Sequence, residues 1–168
     1  MCSGQHAGSG MLPWMFVFDT RHAPLCLQAF PAAYTFEEVC AHFDEVEAYY
    51  RSLPADAPAS LIADARSLVL VDARSRRRVA QSFETLSPLL EHRTVAHAVV
   101  HSSPVVRNAL TGIFWLKRPP WKIKAFSGME EADTWVRARF RARGFGDVSA
   151  PAGWWREGVM AKLHAQSA

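Results

Sequence analysis

The residues that could do chemistry in this chain gather in two places. The first is Asp72-Ala-Arg-Ser-Arg-Arg-Arg78, which brings Asp72, Arg74, Ser75, Arg76 and Arg77 into one short stretch. Asp72 and Ser75 are residue types that cap a helix N-terminus by accepting from its free N–H groups, a role worth ~1 kcal/mol. The cations at 74, 76, 77 and 78 would stand in a first helical turn, where each opposes the macrodipole at a cost of roughly a few tenths of a kcal/mol. Such a cluster is either a solvated charge run or a docking point for an anion or acidic partner. Both readings stay open at this point.

The second place is His101-Ser102-Ser103, an imidazole beside two hydroxyls. A nucleophile needs a base held against it and a sharp turn that exposes it. No G-x-S-x-G elbow surrounds these serines, and Ser102, before Ser103-Pro104, is better explained as a helix cap. His97 and His101 fall on one face of a predicted strand at double spacing, with neither an H-E-x-x-H text nor a neighbouring carboxylate, so they read as structural. Phosphate-loop and dinucleotide fingerprints are both missing from the sequence. No catalytic residue, metal site or cofactor is expected.

The elements that must position these residues follow from periodicity. Residues 1–11 form a small, polar tail expected to be disordered. Trp14–Phe18 and Leu25–Phe30 read as two strands joined across DTRHAP. Thr35 to Glu38 is a capping box, and Phe36, Val39, Cys40, Phe43, Val46, Tyr50 and Leu53 mark one face of the helix it opens. Leu61–Ala63 is a short strand ending near Asp64, while Leu68–Val71 is either loop or a brief extension. A second helix carries Val79, Phe83, Leu86 and Leu90, with Pro88 expected to bend or restart it. Val95–His101 is a near-continuous apolar strand, and a third helix, apolar around much of its circumference, follows Pro104. Trp121–Phe126 alternates apolar and cationic, as an edge strand would. Ser127 to Glu130 reads as a second capping box, opening a helix that ends at Gly144.

The order is β-β-α-β-α-β-α-β-α. It predicts a mixed, mostly parallel α/β sheet with an N-terminal antiparallel hairpin and about four helices. The expected domain spans 12–145. A C-terminal extension at 146–168 holds Trp154-Trp155 and a candidate short helix, and the two tryptophans are expected to dock on their own domain rather than on a partner.

Composition bounds the partners. At 168 residues the prior is one domain, and 49% hydrophobic with 21% charged residues is ordinary for a globular chain. Net charge is +3, split as −5 over residues 1–60 and +8 over 61–168. That is too little for a strong sequence-independent hold on nucleic acid, and the arginine excess also fits a GC-rich genome. No apolar run reaches the ~18 residues a membrane span needs, and Leu12–Phe18 is short for a signal peptide. Three cysteines (Cys2, Cys26 and Cys40) without metal or disulfide spacing point to free thiols and a cytoplasmic setting.

The element order, together with the texts LIADARSLVLVDARSRRRVA, AVVHSSPVVRNALTGIFWL and KIKAFSGMEEADTWV, resembles the STAS domain, the fold of bacterial anti-sigma-factor antagonists, in its SpoIIAA-like branch. The resemblance covers roughly residues 14–143. It implies a bacterial, non-enzymatic regulatory or protein-interaction module, with the stretch from Asp64 to Arg78 and the second helix as its recognition surface. Partner-binding residues would be Asp72, Arg74, Ser75, Arg76 and Arg77. In regulatory members the corresponding loop carries Asp-Ser-Ser-Gly, whose first serine is phosphorylated. Here Asp72 matches, but Ala73 stands in place of that serine, which leaves Ser75 and Ser67 as candidate phosphate acceptors. The alternative function is a small-ligand carrier or sensor for a nucleotide, a lipid or another small apolar or anionic molecule, since relatives of this fold hold such ligands.

Overall fold

The computed structural model describes residues 15–157. Five strands, β1 (Val17–His22), β2 (Leu25–Ala29), β3 (Ala59–Asp64), β4 (Thr94–Val100) and β5 (Ile123–Phe126), form one sheet whose spatial order is the chain order. β1 and β2 are antiparallel, and every later pair is parallel. Helices α1 (Phe36–Ser52), α2 (Ala73–Leu90), α3 (Pro104–Leu116) and α4 (Met129–Ala142) alternate with the strands, and a further helical turn occupies 154–157. The predicted mixed α/β sheet with its N-terminal hairpin is the observed one. The tail at 1–11, Cys2 and Trp14 lie outside the described residues.

Strand side chains alternate between faces, so the sheet has two separate cores. One face carries Leu25, Leu27, Ile62, Ala98 and Val100, which pack on Met129, Ala132, Val136 and Phe140 of α4. Trp154 and Trp155 complete that layer, and the fully buried Trp154 donates its indole N–H to Asp133 Oδ1 at 3.0 Å. Trp154 and Trp155 therefore dock on their own domain, as expected. The opposite face is covered by α1, α2 and α3, where Phe18, Cys26, Val46, Tyr50, Leu61, Leu86 and Leu90 form one cluster. Ala63, Ala65, Val99 and Val106 form a second, smaller one.

Several boundaries differ from expectation for local reasons. β1 continues through Asp19-Thr-Arg-His22, leaving only Ala23-Pro24 (joined by a cis peptide) as the turn. Its polar residues are tolerable because β1 is an edge strand, and Arg21 there pairs with Asp19 at 3.0 Å. Pro88 does not restart α2: it stands in the last turn of one continuous helix, where the missing N–H removes one bond just before the helix ends. The first capping box forms as read, with Glu38 N donating to Thr35 Oγ1 and Thr35 N to Glu38 Oε2. The second does not. Gly128 is the N-cap of α4, and Ser127 reaches Glu131 instead, at 3.5 Å. On α3 only Val106, Ala109 and Ile113 are buried, while Trp115 is 85% exposed, so its apolar circumference is not all core.

Candidate functional site

Asp72 is the N-cap of α2. Its Oδ1 accepts from Arg74 N at 2.8 Å and Ser75 N at 3.0 Å, while Oδ2 accepts from Ser75 Oγ at 2.6 Å. The bonds from Ser75 hold the Asp72 carboxyl below its ordinary range. Ser75 is thereby buried, and so is Ser67 in the loop after β3. A kinase would meet neither hydroxyl without first opening the loop or the first turn of α2.

The four arginines of this turn diverge. Arg74 lies 4.1 Å over the Phe36 ring on α1. Arg76 runs along α3, where Gly112 leaves room: a methyl group added there would come within 3.5 Å of the Arg76 Cδ. Arg77 borders a shallow surface depression with Gln81, Leu116 and Lys117. Arg78 is drawn inward, bonded to Glu47 Oε1 at 2.8 Å and to Asp44 Oδ1 at 2.7 Å. Two of these side chains thus tie α2 to α1, Arg74 through an aromatic ring and Arg78 through two carboxylates, and a third lies along α3. The charge asymmetry between the chain's two halves is partly an internal attraction.

His101 closes β4, its backbone N–H donating to Phe126 O. Its Nδ1 is buried without a partner, so it is not joined to Ser102 or Ser103, and Ser103 is the residue that caps α3, its Oγ accepting from Val105 N. Among the described residues no group of three His, Cys, Asp or Glu side chains gathers as a metal site. No helix among them is long and apolar enough to cross a membrane.

A cavity of about 110 Å3 lies between the sheet and α1, α2 and α3. Its lining follows β3 and the residue after it, from Ala59 to Ala65, a run of about 20 Å at the usual strand rise. At one end Leu90 and Thr94 bound it. At the other, where strands β2 and β3 end, Phe16, Phe30, Tyr34, Leu68 and Val71 surround it. Small side chains line it there: Ala63 on β3, Ala65 just after that strand and Ala109 on α3. Among the described residues, no Asp, Glu, Lys or Arg lines it, so none of the divergent arginines belongs to it.

Five buried polar residues line this otherwise apolar wall, Gln28, Ser60, Ser75, Ser82 and His97, and the last two stand apart. His97 on β4 accepts from the Trp121 indole, Nε1 to Nδ1, at 3.1 Å, and burial pushes its ring down to about 4. Ser82 on α2 is only 1% exposed. Each had a trace in the sequence: His97 interrupts the apolar run VAHAVVH, and Ser82 falls in the apolar stripe between Val79 and Leu86. The small residues Ala63, Ala65 and Ala109 were visible as well, but their convergence depends on helix placement.

The loop from Ala65 to Asp72 closes over the end of the cavity at the carboxyl ends of the strands. Leu68 points into the wall, and Tyr34 on the far side donates its hydroxyl to the Leu70 carbonyl at 2.8 Å. Val69 and Leu70, between them, are each 67% exposed. No protein-family model matches the chain, and no curated protein is similar enough in sequence to count as a match.

Proposed function

We propose that the chain is a non-enzymatic module of STAS-like type that holds a small apolar molecule, as a carrier or a sensor. The observation that carries this reading is the cavity. Its volume of about 110 Å3 is comparable with the ~150 Å3 of an engineered apolar cavity that stays dry and takes up benzene or xenon. A well-packed interior has few voids larger than a water molecule, so space on this scale is room for an apolar occupant. Its position beneath a loop at the carboxyl ends of parallel strands is where open α/β sheets gather ligands.

A second reading, a regulatory protein-interaction module, is favoured by Val69 and Leu70. They expose apolar surface on the loop whose backbone Tyr34 holds. The two readings combine in a sensor whose occupied cavity sets the loop that a partner reads. The free thiols Cys26 and Cys40 agree with a bacterial cytoplasm as its setting.

Native mass spectrometry of the protein purified from a bacterial host, followed by NMR titration of the emptied protein with benzene, tests the ligand reading. A co-purified small molecule, or saturable shifts confined to cavity residues, is the expected result. An empty protein whose cavity resonances ignore benzene would sink it. For the interaction reading, a partner complex captured from the host should weaken at least tenfold with Leu70→Asp or with Arg76→Glu and Arg77→Glu together; unchanged capture by both variants would remove this surface.

A further inference from the structure

The polar groups around the cavity are nearly all committed elsewhere. Tyr50 donates to the Ser60 carbonyl, Thr94 to the Leu90 carbonyl, and Tyr34 to the Leu70 carbonyl. Ser60 and Ser75 donate to Pro24 O and Asp72 Oδ2, and the Gln28 amide pairs with the His42 ring at 2.7 Å. His97 and Ser82 are different. The Ser82 hydroxyl and the His97 Nε2 form no hydrogen bond among the described residues, and both residues line the cavity. His97 is only 6% exposed.

The chemistry of the histidine is fixed by its other nitrogen. An indole N–H can only donate, so Nδ1 must accept from Trp121, and the neutral ring carries its one proton on Nε2. The cavity is thus offered an N–H donor by His97 and a hydroxyl by Ser82, in a wall otherwise apolar or self-satisfied. A donor that faces an apolar space gains from an acceptor brought there by a ligand. A carboxylate or phosphate would find no lysine or arginine there and would be buried uncompensated.

This inference rests on the ligand reading and narrows it. We propose that the cavity takes an uncharged, mostly apolar molecule carrying a hydrogen-bond acceptor, such as a ketone or ester oxygen, which accepts from His97 Nε2–H with Ser82 as the second polar contact. Free fatty acids and nucleotides are thereby excluded as occupants. Desolvation keeps the His97 ring neutral at pH 7, which preserves the tautomer that the contact needs.

The test is an NMR titration of the whole protein at pH 7 with toluene, acetophenone and benzoate, three probes of one ring that differ in the polar group. Acetophenone should bind about fivefold more tightly than toluene, the gain expected of one net hydrogen bond. It should also move the His97 15Nε2 resonance, which toluene should leave in place, and benzoate should bind at least tenfold more weakly than acetophenone. His97→Phe should abolish the preference for acetophenone while toluene still binds, and Ser82→Ala should reduce it. Equal binding of toluene and acetophenone with an unmoved Nε2 would overturn the proposal and leave the ligand reading standing, as would benzoate binding most tightly. Failure of all three probes would overturn both. The Nε2 shift is read in the unsubstituted protein, so the outcome does not depend on either variant folding.

Discussion

The two faces of the sheet use the same strands and are finished differently. Against α4, large side chains meet large side chains: Met129, Phe140, Trp154 and Trp155 close on Leu25, Leu27 and Ile62 in one continuous cluster. Against α1, α2 and α3, the apolar residues divide into two clusters, with alanines where the sheet meets α3 and open space between them. One sheet therefore separates a layer that supplies rigidity from a layer with room to admit something. The stability that the open layer forgoes is supplied across the sheet.

The largest expected effect tests the filled face. Trp154→Ala should cost about 3–5 kcal/mol, the range for emptying a buried tryptophan site, and it also leaves Asp133 without its indole donor. Urea unfolding at pH 7 measures it, and a loss near 1 kcal/mol would mean that this face is no better packed than the other.

Next comes acid sensitivity, which should originate on the open face. The folded His97 titrates at about 4, against an ordinary value of 6.5. Between those values the unfolded chain binds a proton that the folded one does not. Stability is therefore full above pH 6.5 and falls as the pH drops toward 4, by up to about 3 kcal/mol. Denaturant titrations across that window should show the fall and find it flattened in His97→Phe; an unchanged slope would place the acid sensitivity elsewhere.

A matched pair of substitutions sharpens the contrast further. Ala132→Leu inserts volume into the closed layer and should cost about 1–3 kcal/mol, whereas Ala109→Leu enters the cavity and should change stability by less than about 1 kcal/mol while abolishing uptake of apolar probes. Equal costs would erase the distinction between the faces. A last, small effect concerns the end of α2 beside the cavity. Removing its cap with Asp72→Ala should cost ~1 kcal/mol, measured by thermal unfolding.

Much of this architecture was legible because it depends on local signals. Thr35 and Glu38 announce α1, Ser103-Pro104 announces α3, and the alternation of strands with amphipathic stretches gives the sheet its mixed character. Where reading failed, a neighbour distant in sequence had decided. Ser127 and Glu130 have the spacing of a capping box, yet Gly128 takes the cap position. The arginines at 74–78 look like one patch in the sequence, but successive helical positions point in different directions, and Phe36, Asp44, Glu47 and Gly112 each meet a different one. The candidate site was legible only in part. Its floor and loop lie within the stretch from Ser60 to Val79, but the cavity is a void, and a void has no residues of its own. It comes from how far three helices stand off the sheet, which no window of sequence contains.

The agreement between strand order and chain order has a consequence for how the molecule is built. Each strand after the first pairs with the one made just before it, and none has to be inserted into a ladder already closed. The sheet can therefore grow by addition at one edge as the polypeptide emerges. Each parallel addition spans a single crossover helix, which keeps loop closure short for a largely parallel sheet. The layer that waits longest is the one sealed by Trp154 and Trp155, because they follow every strand and helix that they cover.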